Sequence, residues 1–242
     1  MSILGLFLLL VLGACGKKGP VRPLQEKSPR AVESAQILQR GEGFQIRWEM
    51  PQRNQDNSRL EDLDEILVER IFSAPQDFCA ECPTPWPLIA RIQPQLPRPA
   101  QRIRNLFLLS DQGAQAGQVA HYRLTARNKE GALGTPLLLQ QPYLPAAAAP
   151  VEVRVTPHDQ SLELHWRSAD QPEGGVLLGY QVYRRSGSAP FSPLPTNLRP
   201  LDKPEFSDFG LENGRTYFYR IRSLYDFAGQ RLESLPSPEV SG

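Results

Sequence analysis

The chain has almost no excess of charge of either sign. Its 27 Lys and Arg against 26 Asp and Glu leave a formal +1. That balance gives no overall basic field for nucleic acid and leaves no acidic tail. Long apolar runs are missing as well. Residues 3–12 (Ile-Leu-Gly-Leu-Phe-Leu-Leu-Leu-Val-Leu) form one sustained run, but a helix needs about 20 residues to cross a bilayer. Cysteine and histidine are scarce, at three each. Cys79 and Cys82 have no second CxxC and no His pair at ligand spacing to complete a zinc site. His121, His158 and His165 stand at no recognisable spacing from a Ser or Cys nucleophile and a carboxylate, so a catalytic triad has no support. No glycine-rich phosphate loop or nucleotide fingerprint is present. The expectation is therefore a protein that is not an enzyme, with no metal, no cofactor and no nucleic-acid partner.

Proline, by contrast, is plentiful at 24 residues, which disfavours long helices and suits strands, turns and linkers. The apolar run of residues 3–12 has the length of a signal-peptide core, about 7–15 residues. Leu12-Gly13-Ala14-Cys15 follows it, and then the chain turns abruptly polar (Gly16-Lys17-Lys18-Gly19-Pro20). This tetrapeptide resembles the lipobox of bacterial lipoproteins. The resemblance implies cleavage after residue 14, diacylglycerol on the thiol of Cys15, and attachment to a membrane through that lipid. Two or three acyl chains anchor firmly, since each buried CH₂ contributes roughly 0.8 kcal/mol. Residues 15–30 read as the lipidated cysteine and a flexible tether, carrying Pro20, Pro23 and Pro29 among Lys17, Lys18, Arg22, Lys27 and Arg30. With Cys15 taken up by lipid, Cys79 and Cys82 remain as a pair suited to an oxidising periplasm.

From residue 31 the pattern has period two, the mark of strands with one buried face. Phe44-Gln-Ile46-Arg-Trp48, residues 66–72, 88–92, 103–109 and 122–128, and a last strand near 137–139 make a first all-β unit over residues 31–144. Residues 145–150 (Pro-Ala-Ala-Ala-Ala-Pro) read as a linker. The pattern then restarts over residues 151–242: Leu162-Glu-Leu164-His-Trp166 repeats residues 44–48, residues 179–184 repeat 65–70, and residues 217–223 repeat 120–126. This is an internal duplication of about 100 residues. Each copy resembles a fibronectin type III domain. The second copy has Pro150, Trp166, Tyr180-Gln181-Val182-Tyr183-Arg184 and Leu211-Glu-Asn-Gly214-Arg-Thr-Tyr217-Phe-Tyr219-Arg-Ile221 at the positions that mark the family. The resemblance implies two tandem immunoglobulin-like β-sandwiches, with Trp48 and Trp166 filling the cores and the Tyr217 hydroxyl returning to the backbone as a tyrosine corner. Ala120 takes the place of Tyr217 in the first copy, so that corner is absent or differently built there.

The stretch Phe78-Cys79-Ala-Glu-Cys82-Pro83-Thr-Pro85-Trp86 reads as a small disulfide pinching a long loop. The alternative is a redox site, which Pro83, Pro85 and Pro87 disfavour because they oppose the helix such sites use. Trp86 is either a cover over the domain edge or an exposed anchor for a partner. His121 and His165 are placed on outward faces and His158 in a turn. Glu61-Asp62 and Asp64-Glu65 read as a solvated loop, and Arg220 and Arg222 as ordinary strand exterior. Residues 15–24 resemble the Cys-Gly-x-Lys-Gly-Pro start of a small lipoprotein family associated with assembly of the lipopolysaccharide translocon. That resemblance implies the outer membrane of a Gram-negative bacterium, facing the periplasm. The combined expectation is a lipid-anchored binding or spacer module with an envelope protein or glycan as partner; the alternative is an accessory factor in translocon assembly.

Overall fold

A computed structural model of the chain describes residues 27–79, 82 and 85–242. The expected signal peptide, Cys15 and the tether up to residue 26 lie outside the described residues. Among the described residues there are fifteen strands and no helix, so the chain is all-β, as its periodicity predicts.

The first half contains Glu33–Arg40 (β1), Gly43–Glu49 (β2), Leu63–Ser73 (β3), Leu88–Ile92 (β4), Gln101–Ile103 (β5), Leu106–Asp111 (β6), Val119–Asn128 (β7) and Leu137–Pro142 (β8). Strands β1, β2, β6 and β5 pair in that order and face a second sheet ordered β4-β3-β7-β8. Each alternating strand hides only one face, so the two apolar faces close on each other. Phe44, Ile46 and Trp48 meet Ile66, Val68, Tyr122 and Leu124 in one core. Trp48 is fully buried there and stacks on Phe107 with ring centroids 6.0 Å apart.

The second half repeats the plan with Val151–His158 (β9), Ser161–Arg167 (β10), Val176–Ser186 (β11), Glu205–Phe209 (β12), Tyr217–Phe227 (β13), Gln230–Glu233 (β14) and Val240–Ser241 (β15). The sheet β12-β10-β9 packs against β11, β13 and the strands beside them. Leu164 and Trp166 meet Tyr180, Val182, Tyr219 and Ile221. Tyr217 does return to the backbone, its hydroxyl accepting from the amide of Glu212 at 3.1 Å.

One polar clip occurs in both halves at matching positions. Arg70 of β3 donates to Asp111 of β6 at 2.6 and 2.8 Å, and the Tyr122 hydroxyl of β7 donates to the same carboxylate at 2.6 Å. In the second half Arg184 donates to Asp208 at 2.8 and 2.7 Å and Tyr219 donates at 2.8 Å. The aspartate belongs to one sheet and its two donors to the other, so each clip ties the two layers together. Burial, helped by the adjacent carboxylate, raises both tyrosine pKa values far above normal, which keeps the hydroxyls protonated as donors.

Three boundaries differ from the sequence reading. Residues 103–109 form a hairpin rather than one strand, because the chain turns at Arg104 with φ +55° and β5 folds back on β6. Residues 28–30, counted with the tether, belong to the fold: Ser28 accepts from the amide of Gln55 and the amide of Arg30 donates to Arg53. Residues 145–150 connect the halves without acting as a free spacer. Ala147 is 3% exposed and packs with Tyr225 and Leu232, and its carbonyl accepts from Leu235.

Removing one member of a buried ionic clip strands its partners. Asp208→Ala should cost about 2–3 kcal/mol, at the lower end for such losses because Arg184 is partly exposed. Tyr219→Phe should cost about 1 kcal/mol. Urea unfolding of the two variants and of the double variant measures both costs and their coupling.

Candidate functional site

The two halves share one sheet. Strand β14 of the second half lies parallel to β1 of the first, with Gln39 opposite Leu232 and Arg40 opposite Glu233. The pairing makes a continuous path β11-β13-β14-β1-β2-β6-β5. Glu233 is buried at this seam. Arg40 holds it from the first half at 2.8 Å, and the Tyr183 hydroxyl donates to it at 2.7 Å. Arg222 approaches at 3.9 Å. Burial and the glutamate charge push the Tyr183 pKa far up, so its hydroxyl remains a donor. Arg40 also lies over the Tyr183 ring at 4.7 Å. Arg222 is therefore a seam residue, a correction to its reading as plain strand exterior. Arg220, whose side chain is 43% exposed beside Glu239, fits that reading better.

Two buried glutamines complete the seam. Gln39 donates to the carbonyls of Gly41 and Leu144 at 3.0 and 2.6 Å and accepts from the amide of Leu144 at 2.9 Å. Gln141 donates to the carbonyl of Arg231 at 3.0 Å. Glu233 and Gln141 find partners across the seam and Gln39 finds its partners within the first half, which is how a polar junction avoids the desolvation penalty.

On the outer side of the shared sheet lies a groove of about 810 Å³. Its floor carries Gln36, Gln45 and Arg47 from β1 and β2, Arg231 and Glu233 from β14, and Gln181 from β11. Residues 193–200 form one wall. This wall is fixed at its base because Gly179, with φ +134°, lets the Leu201 carbonyl approach to where a Cβ would sit 2.6 Å away. Tyr180 and Leu201 then exchange backbone hydrogen bonds at 2.9 and 3.0 Å. Asn197, buried, accepts from Val182 and donates to Tyr180 and Arg199. Arg40 and Gln45 reach across from the first half to the Pro193 carbonyl at 3.1 and 3.4 Å. The groove is therefore built by both halves and is pre-formed, as ligand sites at domain junctions commonly are.

The disulfide loop borders the same junction. Cys79 and Cys82 are bonded and both are exposed. Phe78 beside them stacks on His121 with centroids 3.5 Å apart and meets Trp86 edge-on at 5.9 Å. Arg123, paired with Glu69, lies over Trp86 at 4.8 Å. Trp86 is 9% exposed, so it covers the outer face of β3 and β7 and is not presented as a surface anchor. His121 is on the outward face, as alternation requires, yet only 4% exposed because Phe78 lies on it. Its Nε2 stands 3.0 Å from the Ser73 hydroxyl, while Nδ1 has no partner among the described residues. Among the described residues no carboxylate is hydrogen-bonded to this ring to orient it as a catalytic histidine. His158 and His165 are exposed and flank Glu163. The acidic pairs are not all solvated: Glu65 is buried, bound by Arg91 at 2.6 Å and Arg127 at 2.8 Å.

The groove was not singled out from sequence. Its residues come from six strands and the loops beside them, and no strand read alone stands out from an ordinary exterior face. The one legible hint was the run of glutamines at outward positions of strands. The chain matches no family model and no curated protein.

Two outcomes follow from this geometry. Glu233→Ala should weaken the seam by about 3 kcal/mol, by removing the shared acceptor of Arg40 and Tyr183; amide hydrogen exchange at residues 39–41 and 232–234 should rise before that of either core. Burial lowers the His121 pKa below its ordinary 6.5. The unfolded chain then takes the proton first as pH falls, so the stability from neutral His121 is present above about pH 6.5 and is lost as pH drops through the folded value. Thermal melts from pH 7.5 to 5 should fall more for the natural chain than for His121→Gln.

Proposed function

We propose that this chain is a non-enzymatic binding module, held at the periplasmic side of an outer membrane by lipid on Cys15, and that it takes an envelope component into the groove between its two β-sandwiches. The observation that carries the reading is the shared sheet. Two halves joined only by a linker would move freely, and a cleft between them would have no fixed shape. Here the β1–β14 pairing and buried Glu233 hold both sides of an 810 Å³ groove in one arrangement. Binding needs such pre-organisation, because ordering two domains at the moment of capture would consume affinity.

The anchoring part of the proposal rests on Leu12-Gly13-Ala14-Cys15 and the polar turn after it. The described fold is compatible with a tether. Its first ordered contacts, at residues 27–30, lie at the end of the first sandwich marked by Asn54 and Asn128. The groove lies toward the other end, where β1 reaches Arg40 and Gly41. Residue 27 thus joins the fold away from the end where β1 reaches the seam.

Labelled palmitate should appear on the mature natural protein and be absent from Cys15→Ser, which should move to the soluble fraction. Site-specific crosslinking from Gln181 in intact envelopes should capture a component that crosslinking from Glu173, outside the groove, does not. A Cys15→Ser protein that stays with envelopes defeats the anchoring claim, and equal capture from both positions defeats the groove claim.

A further inference from the structure

We infer that the groove is a site for an anionic sugar, with Arg47 and Arg231 binding its phosphate or carboxylate and the surrounding side-chain amides reading its hydroxyls. The inference rests on the groove being the binding site proposed above. It starts from two arginines contributed by opposite halves of the molecule. Arg47 is on β2 and Arg231 on β14, two strands apart in the shared sheet with β1 between them. Both line the groove. The other arginines of the junction have carboxylate partners: Arg40 and Arg222 share Glu233, and Arg220 has Glu239. Among the described residues neither Arg47 nor Arg231 has an acidic group within 4.0 Å, and Arg47 donates only to the Gln36 side chain.

Two guanidiniums facing one groove without a counter-ion repel each other. Burial and the charge of Arg231 both lower the Arg47 pKa, and Glu233 offsets this only in part. Folding alone gives no reason to hold the pair there. An anion between them removes the repulsion and supplies the acceptors that a guanidinium fork matches, bidentate for phosphate or carboxylate. Glu233, the one carboxylate lining the groove among the described residues, is committed to Arg40 and Tyr183.

The rest of the lining selects the scaffold that bears the anion. Gln36, Gln45, Gln140, Gln181 and Gln230 line the groove. Gln36 already accepts from Arg47, Gln45 donates to Pro193 and Gln181 accepts from Asn197, which leaves the amide nitrogens of Gln36 and Gln181, the carbonyl of Gln45 and the whole amides of Gln140 and Gln230 for hydroxyls that both donate and accept. An extended acidic peptide fits less well. Peptides gain affinity by pairing their backbone with a free sheet edge, whereas the groove floor is a sheet face in which β1 pairs with β2, β14 pairs with β13, and β1 meets β14 at Gln39–Leu232 and Arg40–Glu233.

Isothermal titration of the full chain, purified in detergent with Glu233 intact, tests this with four probes: glucose 6-phosphate, an oligogalacturonate tetramer, neutral maltotetraose and a polyglutamate of equal charge. One or both anionic sugars should bind, and which of them binds tells phosphate from carboxylate. Arg47→Gln and Arg231→Gln should each weaken that binding about tenfold, and raised salt should weaken it further. Melting temperatures of the two variants should stay unchanged or rise, because a repulsion has been removed; a purely structural arginine would show a loss. Anionic-sugar binding that both variants retain overturns the site. Polyglutamate bound as tightly as the sugars, or maltotetraose bound as tightly as the tetragalacturonate, overturns the ligand class but leaves the groove as a binding site. The crosslinking from Gln181 tests the groove independently of any of these probes.

Discussion

Two residue pairs of parallel strand, Gln39 with Leu232 and Arg40 with Glu233, decide what kind of molecule this is. A contact that short would not hold two domains by backbone hydrogen bonds alone. It holds because Glu233 is buried at its end and cannot leave without stranding Arg40 and Tyr183. A charge taken out of water is costly to bury, and the cost is offset only in the arrangement that gives it both partners. The same carboxylate thus stabilises the closed seam and penalises an open one. With the seam fixed, the outer faces of β1, β2, β11 and β14 become one surface, and the wall of residues 193–200 has something to stand against.

The two halves share one layered plan, and that plan leaves room for the seam between them. Each half carries the same inter-sheet clip, Arg70–Asp111–Tyr122 and Arg184–Asp208–Tyr219. With its layers tied internally, each half has surface to spare for divergence. The second keeps the tyrosine corner at Tyr217. The first replaces it with Ala120, fully buried, and carries instead the long loop in which Phe78 and Trp86 cover β3 and β7. The loop is a connection outside the core cluster, where change leaves the core packing intact, whereas Ala120 lies in the first core near the start of β7.

The sequence made legible what depends on neighbours along the chain. Alternation placed Phe44, Ile46 and Trp48 in one core and Leu162, Leu164 and Trp166 in the other, and the turn residues before Tyr217 announced its corner. What depends on distant partners stayed hidden. Nothing near Glu233 says that Arg40, almost two hundred residues earlier, will meet it. Asp111 and Asp208 end short strands and look like surface residues until Arg70 and Arg184 arrive from the opposite sheet. Trp86 reads from the sequence as either a cover or an exposed anchor, and only Phe78 and Arg123, arriving against it, make it a cover. The linker of small residues looked free because alanine has little apolar surface to bury. Its small size is what lets Ala147 fit against Tyr225 and Leu232.

The chemistry of the groove follows from that same division between near and far. A buried carboxylate at the seam must be matched by arginines, and the strands around it supply more of them than it can bind. Arg40 and Arg222 are taken up by Glu233. Arg47 and Arg231 stand one strand further out on either side of the Arg40 strand and on the strand of Glu233 itself, and are left facing the groove. Arg47 is partly buried there and Arg231 is exposed, so the field of the first is screened less than that of the second. The excess of cation is thus a by-product of how the two halves are joined, located where both of them can reach a single ligand. An anion bound there would touch both sandwiches at once and, by neutralising the pair, would strengthen the seam that made the site.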